Sequence, residues 1–544
     1  MLYNNYVKFL VKFWHDFKLQ PDVWFFYGFL LTFTLSVRKV LFFYPINGRF
    51  NEWTGIYLYL SDIFLIITIF LWVISILRNK NVNLSIDDIN LWLKQAIIYL
   101  PRHQKQGITR WWVVIKEYVA CKFSNRSVSF WCGGVPLLIV FWSFISILWS
   151  ENQNIALFKA IKLLEFYLFY LYVIFRLFHL TLPLFLPRRR NEGEVVNKGG
   201  VIKNTFRIII ALGFIQAIIG IWQFIIQHSI GLFWLKESLI SLDISGVAKI
   251  MLNGEKFIRA YGLFPHPNIL GGFLLVSIIL IICCKKLFHV EQFNQCHSCE
   301  SRNPVNKFLS FLDSGSGAGM TTLMTLSLVI QIIALILTFS KSAILGLIIA
   351  FLYVLWKNKE MFHPVKEEIV SRETISFHGA GIEHLGRKVA IIAIILILSL
   401  YLAGLNFGEN LEKSYGDRID QLVIWKSITQ NNLLLGTGTG NYLFHMKHLY
   451  PNLETWQYQP VHNVFLLIWS ELGIIGMGLF VWFLWKIFIW TPSVQFWTKG
   501  ILAGFIFIML FDHYFWDIQQ GQIMLWMILG LVAGYTTEKN KIFY

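Results

Sequence analysis

Apolar stretches of roughly 18–20 residues recur along this chain from end to end, each the length of a helix that crosses a bilayer. No other feature constrains the fold as strongly. In hydrocarbon the backbone has no water to bond, so a spanning segment must satisfy its own N–H and C=O groups as a helix. A barrel strand would be shorter and alternate in polarity, and these runs are continuous. Of the 544 residues, 56% are hydrophobic and only 14% are charged, too few charges to cover a soluble surface of that size. The sequence therefore reads as an all-α, polytopic membrane protein of about twelve transmembrane helices.

The charges orient those helices. A formal net charge of +16 in a soluble chain would suggest nucleic acid. Here the Lys and Arg residues collect in alternate loops, the positive-inside pattern, so the bilayer accounts for them and no nucleic-acid partner is expected. Residues 78–126 carry nine Lys or Arg against Asp87, Asp88 and Glu117. Basic residues recur in the loops at 188–203 and 357–388. Spans are expected near 22–37, 59–77, 133–149, 155–178, 206–227, 261–284, 323–339, 343–356, 389–405, 462–485, 501–510 and 521–535, with both termini cytoplasmic. Residues 1–20 read as a basic interfacial segment without a signal-peptide cleavage site. Residues 291–322 read as a disordered cytoplasmic insertion.

Three regions follow: membrane helices over 1–257, a core over 258–490, and the last two helices with a tail over 491–544. The core includes a large outer (periplasmic) loop at 406–461, between the ninth and tenth spans, with short amphipathic helices. Of six cysteines, Cys121, Cys132, Cys283 and Cys284 lie in or beside apolar runs, as packing groups do. Cys296 and Cys299 lack two further ligands at zinc spacing. No metal or cofactor is expected.

Polar residues on the expected outer side are the candidates for chemistry. Arg259 stands where a loop enters the sixth span, followed by His266 and Asn268 between and beyond two prolines that bend the backbone. Its fork could grip a phosphate, or it could anchor a helix end among headgroups. Lys341 sits in a minimal turn, able to snorkel or to bind an anion. Residues 418–430 read as an interfacial amphipathic helix with Arg418 in its first turn, where the macrodipole disfavours a cation. His462 and Asn463 stand at the mouth of the tenth span, and histidine exchanges protons near neutral pH. Lys162 can pair with Glu165 at i, i+3. Asp512, His513 and Asp517 share the last outer turn, a spacing that could suit a metal were a further ligand near. The run G-T-G-T-G-N at 436–441 lacks the Lys-Ser/Thr of a nucleotide loop and follows no strand, so a tight turn is the better reading.

Four motifs stand in order: R-A-Y-G-L-F-P-H-P-N-I-L-G-G from Arg259, L-T-F-S-K-S-A-I-L-G from Leu337, L-L-L-G-T-G-T-G-N-Y from Leu433, and V-H-N-V-F-L-L-I-W-S-E-L-G-I-I-G from Val461. Together they resemble the second half of the O-antigen ligase and O-antigen polymerase superfamily, over roughly 259–478. The first half is similar only in being polytopic. Lys341 replaces the arginine common in that turn, keeping the charge and losing the fork. The resemblance implies a glycosyltransferase of the bacterial inner membrane, with its active site facing the periplasm. It would move a glycan from undecaprenyl diphosphate to a hydroxyl of a lipid A-core, a growing polysaccharide or a protein, without ATP or metal. Arg259 and Arg418 match the family's functional arginines and would hold the diphosphate. His462 matches its functional histidine and would activate or orient the acceptor. Lys341, His266, Asn268, Asn463, Lys162 and His513 are the further candidates for diphosphate or glycan binding. The competing readings are a flippase of lipid-linked glycans, which would place paired charges and broken helices at mid-membrane, and a non-catalytic assembly protein.

Overall fold

The computed structural model describes residues 14, 17–79, 133–177, 200–252, 254–289, 317–358, 408–490 and 496–542. The expected ninth span, most of the expected interfacial segment, most of the basic loops expected to be cytoplasmic, Cys121, Cys132 and the expected insertion up to residue 316, with its Cys296 and Cys299, lie outside the described residues. Among those described, three helices are long and apolar enough to cross a membrane: Leu60–Leu77, Val201–Ile226 and Val464–Ile489. Shorter apolar helices cover Val135–Trp149, Pro267–Cys283, Leu323–Leu337 and Phe496–Met509.

In chain order the helices are α1 (Pro21–Thr32), α2 (Leu60–Asn79), α3 (Val135–Ile145), α4 (Gln153–Tyr172), α5 (Gly200–Ile226), α6 (Pro267–His289), α7 (Gly317–Leu337), α8 (Lys341–Asn358), α9 (Gly408–Thr429), α10 (Tyr442–Leu449), α11 (Val464–Trp490), α12 (Phe496–Met509), α13 (Tyr514–Asp517) and α14 (Gln519–Ile542). The chain is mostly helical, as expected. Two helices form the axis of the bundle. Residues 273–281 of α6 and 523–533 of α14 are almost wholly buried on every side, the mark of a helix surrounded by others. Helices α8 and α12 pack closely because small residues face each other: a Cβ on Gly504 would lie 2.6 Å from the Gly346 carbonyl, and one on Gly500 would lie 2.7 Å from that of Ala350. Without a hydrophobic force between helices in lipid, such close backbone approach is what holds them.

The all-α expectation needs one correction, because two β-hairpins interrupt it. Helix α1 stops at Thr32, short of the expected 22–37 span. The chain then forms β1 (Arg38–Phe43) and β2 (Gly55–Tyr59), paired antiparallel. Between them Asn47 and Gly48 take φ values of 49° and 75°, and Ile46 and Arg49 exchange hydrogen bonds of 3.0 Å. Two successive positive φ angles are what an Asn-Gly hairpin turn requires. A second hairpin joins β3 (Lys249–Leu252) to β4 (Glu255–Ile258), with Gly254 at φ 85°. It fills part of the expected 228–260 loop and delays the sixth span, which begins at Pro267 and not at Tyr261.

Helix α11 is broken. Gly473 has φ 69° and ψ −177°, a conformation open essentially to glycine alone. The segment around the glycine run enters the break. Thr437 and Gly438 donate to the Ser470 and Glu471 carbonyls at 2.8 and 2.9 Å, and Ile474 donates to the Leu433 carbonyl at 2.9 Å. Trp142 Nε1 donates to Leu472 O at 2.8 Å. The backbone groups exposed by the break are thus satisfied within the protein, as an apolar surround demands. A Cβ on Gly473 would lie 2.0 Å from Leu434 O. Gly473→Ala is therefore expected to destabilise the protein by on the order of 3 kcal/mol, read as a lowered thermal midpoint in detergent. Gly478→Ala, whose added carbon meets nothing within 4 Å, should leave the midpoint unchanged or raise it.

Candidate active site

At one end of the bundle the chain gathers charged and titratable side chains from several elements around the connection between α12 and α13. Arg259 follows β4. The hairpin fixes its backbone, whose N–H donates to Ala248 O at 3.2 Å. Its Nε donates to Thr338 O at 2.6 Å and its Nη2 to Asn268 Oδ1 at 2.6 Å. Asn268 Nδ2 in turn donates to Asp512 Oδ2 at 2.6 Å. Burial draws the Arg259 pKa down to about 10, against the pull of Tyr261 and Asp512. The guanidinium stays charged at neutral pH.

Two further cations face it. Lys341 opens α8, where Ser340 Oγ accepts from the Ala343 N–H at 3.4 Å in the manner of an N-cap. The Lys341 pKa is lowered by burial first and then by Arg418 and Arg259, so the three charges share one field. Arg418 reaches across from α9, donating to Phe511 O at 3.3 Å, with its guanidinium 5.8 Å from the Phe511 ring centre. Helix α9 begins at Gly408 and not near Arg418. Arg418 is therefore well inside the helix, and the macrodipole argument against a cation in the first turn does not apply to it.

Three histidines complete the group. His462 lies just before α11. Its Nδ1 is 2.8 Å from Gln421 Oε1, and its backbone N–H reaches the same oxygen at 3.3 Å. Two donors converging on that atom define it as the amide oxygen, so Nδ1 carries the ring proton and Nε2 keeps its lone pair. Burial pushes the His462 pKa down to about 3, aided by His513, Arg418 and His266 and opposed by Asp512. His513 meets the His462 ring edge to face at 4.9 Å. It is held oppositely: burial disfavours its charge, but Asp517, whose oxygens lie 2.8 and 2.9 Å from Nδ1, together with Asp512 and Glu52 outweighs burial and raises the pKa. His266 precedes Pro267, the first residue of α6, and its Nδ1 accepts from the Asn268 N–H at 3.2 Å. Burial, then Arg259 and His513, lower its pKa to about 3.

Arg259, His266, Asn268, Lys341, Arg418, His462, Asn463 and His513 are thus brought to one end of the bundle. Lys162 is not among them. It lies nine residues into α4, about 14 Å along the helix, with Nζ 2.8 Å from Asp62 and 2.6 Å from Glu165. Two carboxylates already answer its charge, which leaves none for a diphosphate. The amide of Asn463 is also engaged: Oδ1 caps α11 by accepting from the Leu466 N–H at 3.0 Å, and Nδ2 donates to Leu510 O at 3.0 Å. Among the described residues no three His, Cys, Asp or Glu side chains form a metal cage. Gln421 was missed. It stands three residues beyond Arg418, on the same helix face, and that spacing was the available signal. The glycine run is not a phosphate cradle. Its N–H groups are taken by the α11 carbonyls, by Ser146 Oγ at Thr439 and by Glu471 at Gly440.

Comparison with known proteins gives the site its context. Residues 326–481 match the family model Wzy_C, O-antigen ligase. Over those residues the chain is similar to O-antigen ligases. The match covers less than a third of the 544 residues. It includes Lys341, Arg418, His462 and Asn463, while Arg259, His266, Asn268 and His513 lie outside it. No curated protein matches the chain. That likeness, with the three helices long and apolar enough to cross a membrane, points to a membrane protein.

The two histidine shifts have opposite consequences for stability. The contribution of His513 is full below the ordinary histidine range and is lost as pH rises through its raised value. His462 and His266 cost stability as pH falls below about 6.5. Asp517→Asn should lower the pH at which His513 loses its proton, as read from ring nitrogen resonances, while His462 stays neutral until the pH nears about 3.

Proposed function

We propose that the protein transfers a glycan from undecaprenyl diphosphate to an acceptor hydroxyl at the outer face of the bacterial inner membrane. The observation that carries this reading is the meeting of Arg259, Lys341 and Arg418 beside a neutral histidine, His462, whose Nε2 is unprotonated. In the reaction the acceptor oxygen forms a bond to the anomeric carbon, and the bond from that carbon to the phosphate oxygen breaks. His462 Nε2 takes the acceptor proton. The departing lipid diphosphate gains negative charge, which the three cations offset. A bound diphosphate also screens His462 from those cations, raising its basicity as the donor loads. Gln421 keeps the ring in the required tautomer. The acceptor is a lipid A-core sugar, a growing polysaccharide or a protein hydroxyl.

Two observations favour a flippase instead: the Lys162–Asp62–Glu165 group inside the helices, and the break in α11. The first places paired charges away from the end of the bundle where the other candidates gather. Both are closed, however. The Lys162 charge is neutralised by its two neighbours, and the backbone groups at the break are bonded to the glycine run, so neither offers a free ligand to a passing substrate.

The test is transfer of a labelled undecaprenyl-diphosphate glycan by purified protein in detergent, with each acceptor class supplied. Arg259→Ala, Arg418→Ala and His462→Ala should each lower the rate by about 10²–10³-fold. Unaltered transfer by all three variants would remove these residues from the reaction.

A further inference from the structure

The connection between α5 and β3 leaves large apolar side chains uncovered. Phe233, Trp234 and Leu235 follow one another in a single 3₁₀ turn. Phe233, Trp234 and Leu239 are 68%, 95% and 68% exposed. The turn is firmly held. The Glu237 carboxylate accepts the N–H groups of Ile230, Gly231 and Leu232 at 2.8, 2.9 and 2.7 Å, and Gln223 Nε2 donates to it at 2.8 Å. One carboxylate thus fixes the backbone that presents Trp234 outward. Apolar side chains displayed together on a fixed backbone mark a surface that meets something other than water.

Two features say what covers them. The first is depth. Gln223 lies in the last turn of α5, the helix that is long and apolar enough to cross a membrane over Val201–Ile226. Its bond to Glu237 therefore holds the turn level with the end of that span, and not out beyond it. The second is continuity. Ile215, Ile218, Trp222 and Ile225 are all exposed and recur at three- and four-residue spacing, so they form one stripe on α5. On a spanning helix such a stripe faces lipid, and the turn takes up where the stripe ends. Lys236, which follows the turn at φ 54°, is exposed as well. Tryptophan with a neighbouring lysine at the end of a span is the composition of the headgroup layer.

We propose that residues 232–242 form an interfacial anchor. Phe233, Trp234, Leu235 and Leu239 enter the headgroup layer of the protein's own bilayer, and the Lys236 ammonium meets a lipid phosphate. The anchor bears on the cation cluster. Gln227, one turn beyond Gln223, accepts the Ile258 N–H at 2.6 Å, and Gln223 Oε1 accepts that of Tyr261 at 3.3 Å. The same end of α5 therefore holds both the anchor and the two residues that flank Arg259 and Ala260. A bilayer that grips the turn sets the depth of that stretch. The inference rests on α5 crossing a membrane and not on the transfer of a glycan.

The test is photo-crosslinking of the full-length protein in vesicles of equal parts phosphatidylethanolamine and phosphatidylglycerol. The photoreactive residue p-benzoylphenylalanine stands in place of Trp234, Leu239 or Glu255 in turn, and adducts are read by mass spectrometry. Positions 234 and 239 should yield mainly phospholipid adducts. Position 255, an exposed acid beside Gly254 in the second hairpin, should yield few. Lys236→Gln should lower the ratio of phosphatidylglycerol to phosphatidylethanolamine adducts at position 234 about fivefold. Thermal midpoints check folding, and position 239 carries the test if the protein altered at 234 does not fold. Crosslinked dimers in place of lipid adducts, lipid adducts no more frequent at 234 and 239 than at 255, or an unchanged lipid ratio in Lys236→Gln would overturn the anchor. None of these readouts uses transfer, so such a failure leaves the transferase reading standing. Lipid adducts on a protein that transfers no glycan would uphold the anchor and remove that reading.

Discussion

The arrangement depends on the seam between the broken helix α11 and the glycine run that fills the break. A break inside an apolar bundle exposes carbonyls and an amide that no solvent can reach, and each group left unbonded would cost several kcal/mol. The segment 433–440 answers them with its own backbone, which only glycines at positive φ allow at such close range. Gly436, Gly438 and Gly440 all lie at φ between 72° and 93°. The same seam fixes function from a distance. It anchors the chain between α9, which carries Arg418 and Gln421, and α11, whose mouth carries His462. It also orients Glu471, which receives the Trp516 indole N–H at 2.9 Å and so ties α11 to the turn that bears His513.

On that scaffold the site separates two histidines that touch. Burial, with His513, Arg418 and His266, holds the His462 pKa down, whereas Asp517, Asp512 and Glu52 raise that of His513 against burial. One imidazole thereby holds a proton less readily and the other more readily than a free histidine, although the side chains are chemically identical. Environments that drive neighbouring titratable groups apart mark acid–base sites. Burial is the largest cause of the His462 shift, whereas at His513 the carboxylates of Asp517, Asp512 and Glu52 together overcome burial.

Much of this was legible in the sequence. The apolar runs and loop charges pointed to a helical membrane protein, and four short motifs indicated the superfamily. The hairpins were missed although Asn47-Gly48 is a strong local hairpin signal, because the residues between the first two spans were read as a short loop with no pairing of their own. Lys162 stood among the candidate ligands even though its pairing with Glu165 at i, i+3 was legible from spacing, and the structure contains that pair. Its partner Asp62 lies 100 residues away, beyond the reach of any local pattern. The break in α11 was hidden for a related reason: a glycine in a helical run signals flexibility, and only the filling segment shows which backbone it needs.

The sequence alone determined the class of molecule and the residue types at the site, since bilayer thickness, the charge of loops and the chemistry of Arg and His act through local composition. The tertiary structure alone decided which of those residues meet. It set Arg259, Lys341 and Arg418 in one field, shifted the His462 and His513 pKa values in opposite directions, and withdrew Lys162 into an ion group. Pairings of that kind depend on distances between segments far apart in the chain, and electrostatic and hydrogen-bond energies are functions of those distances and of burial, neither of which a linear order of residues contains.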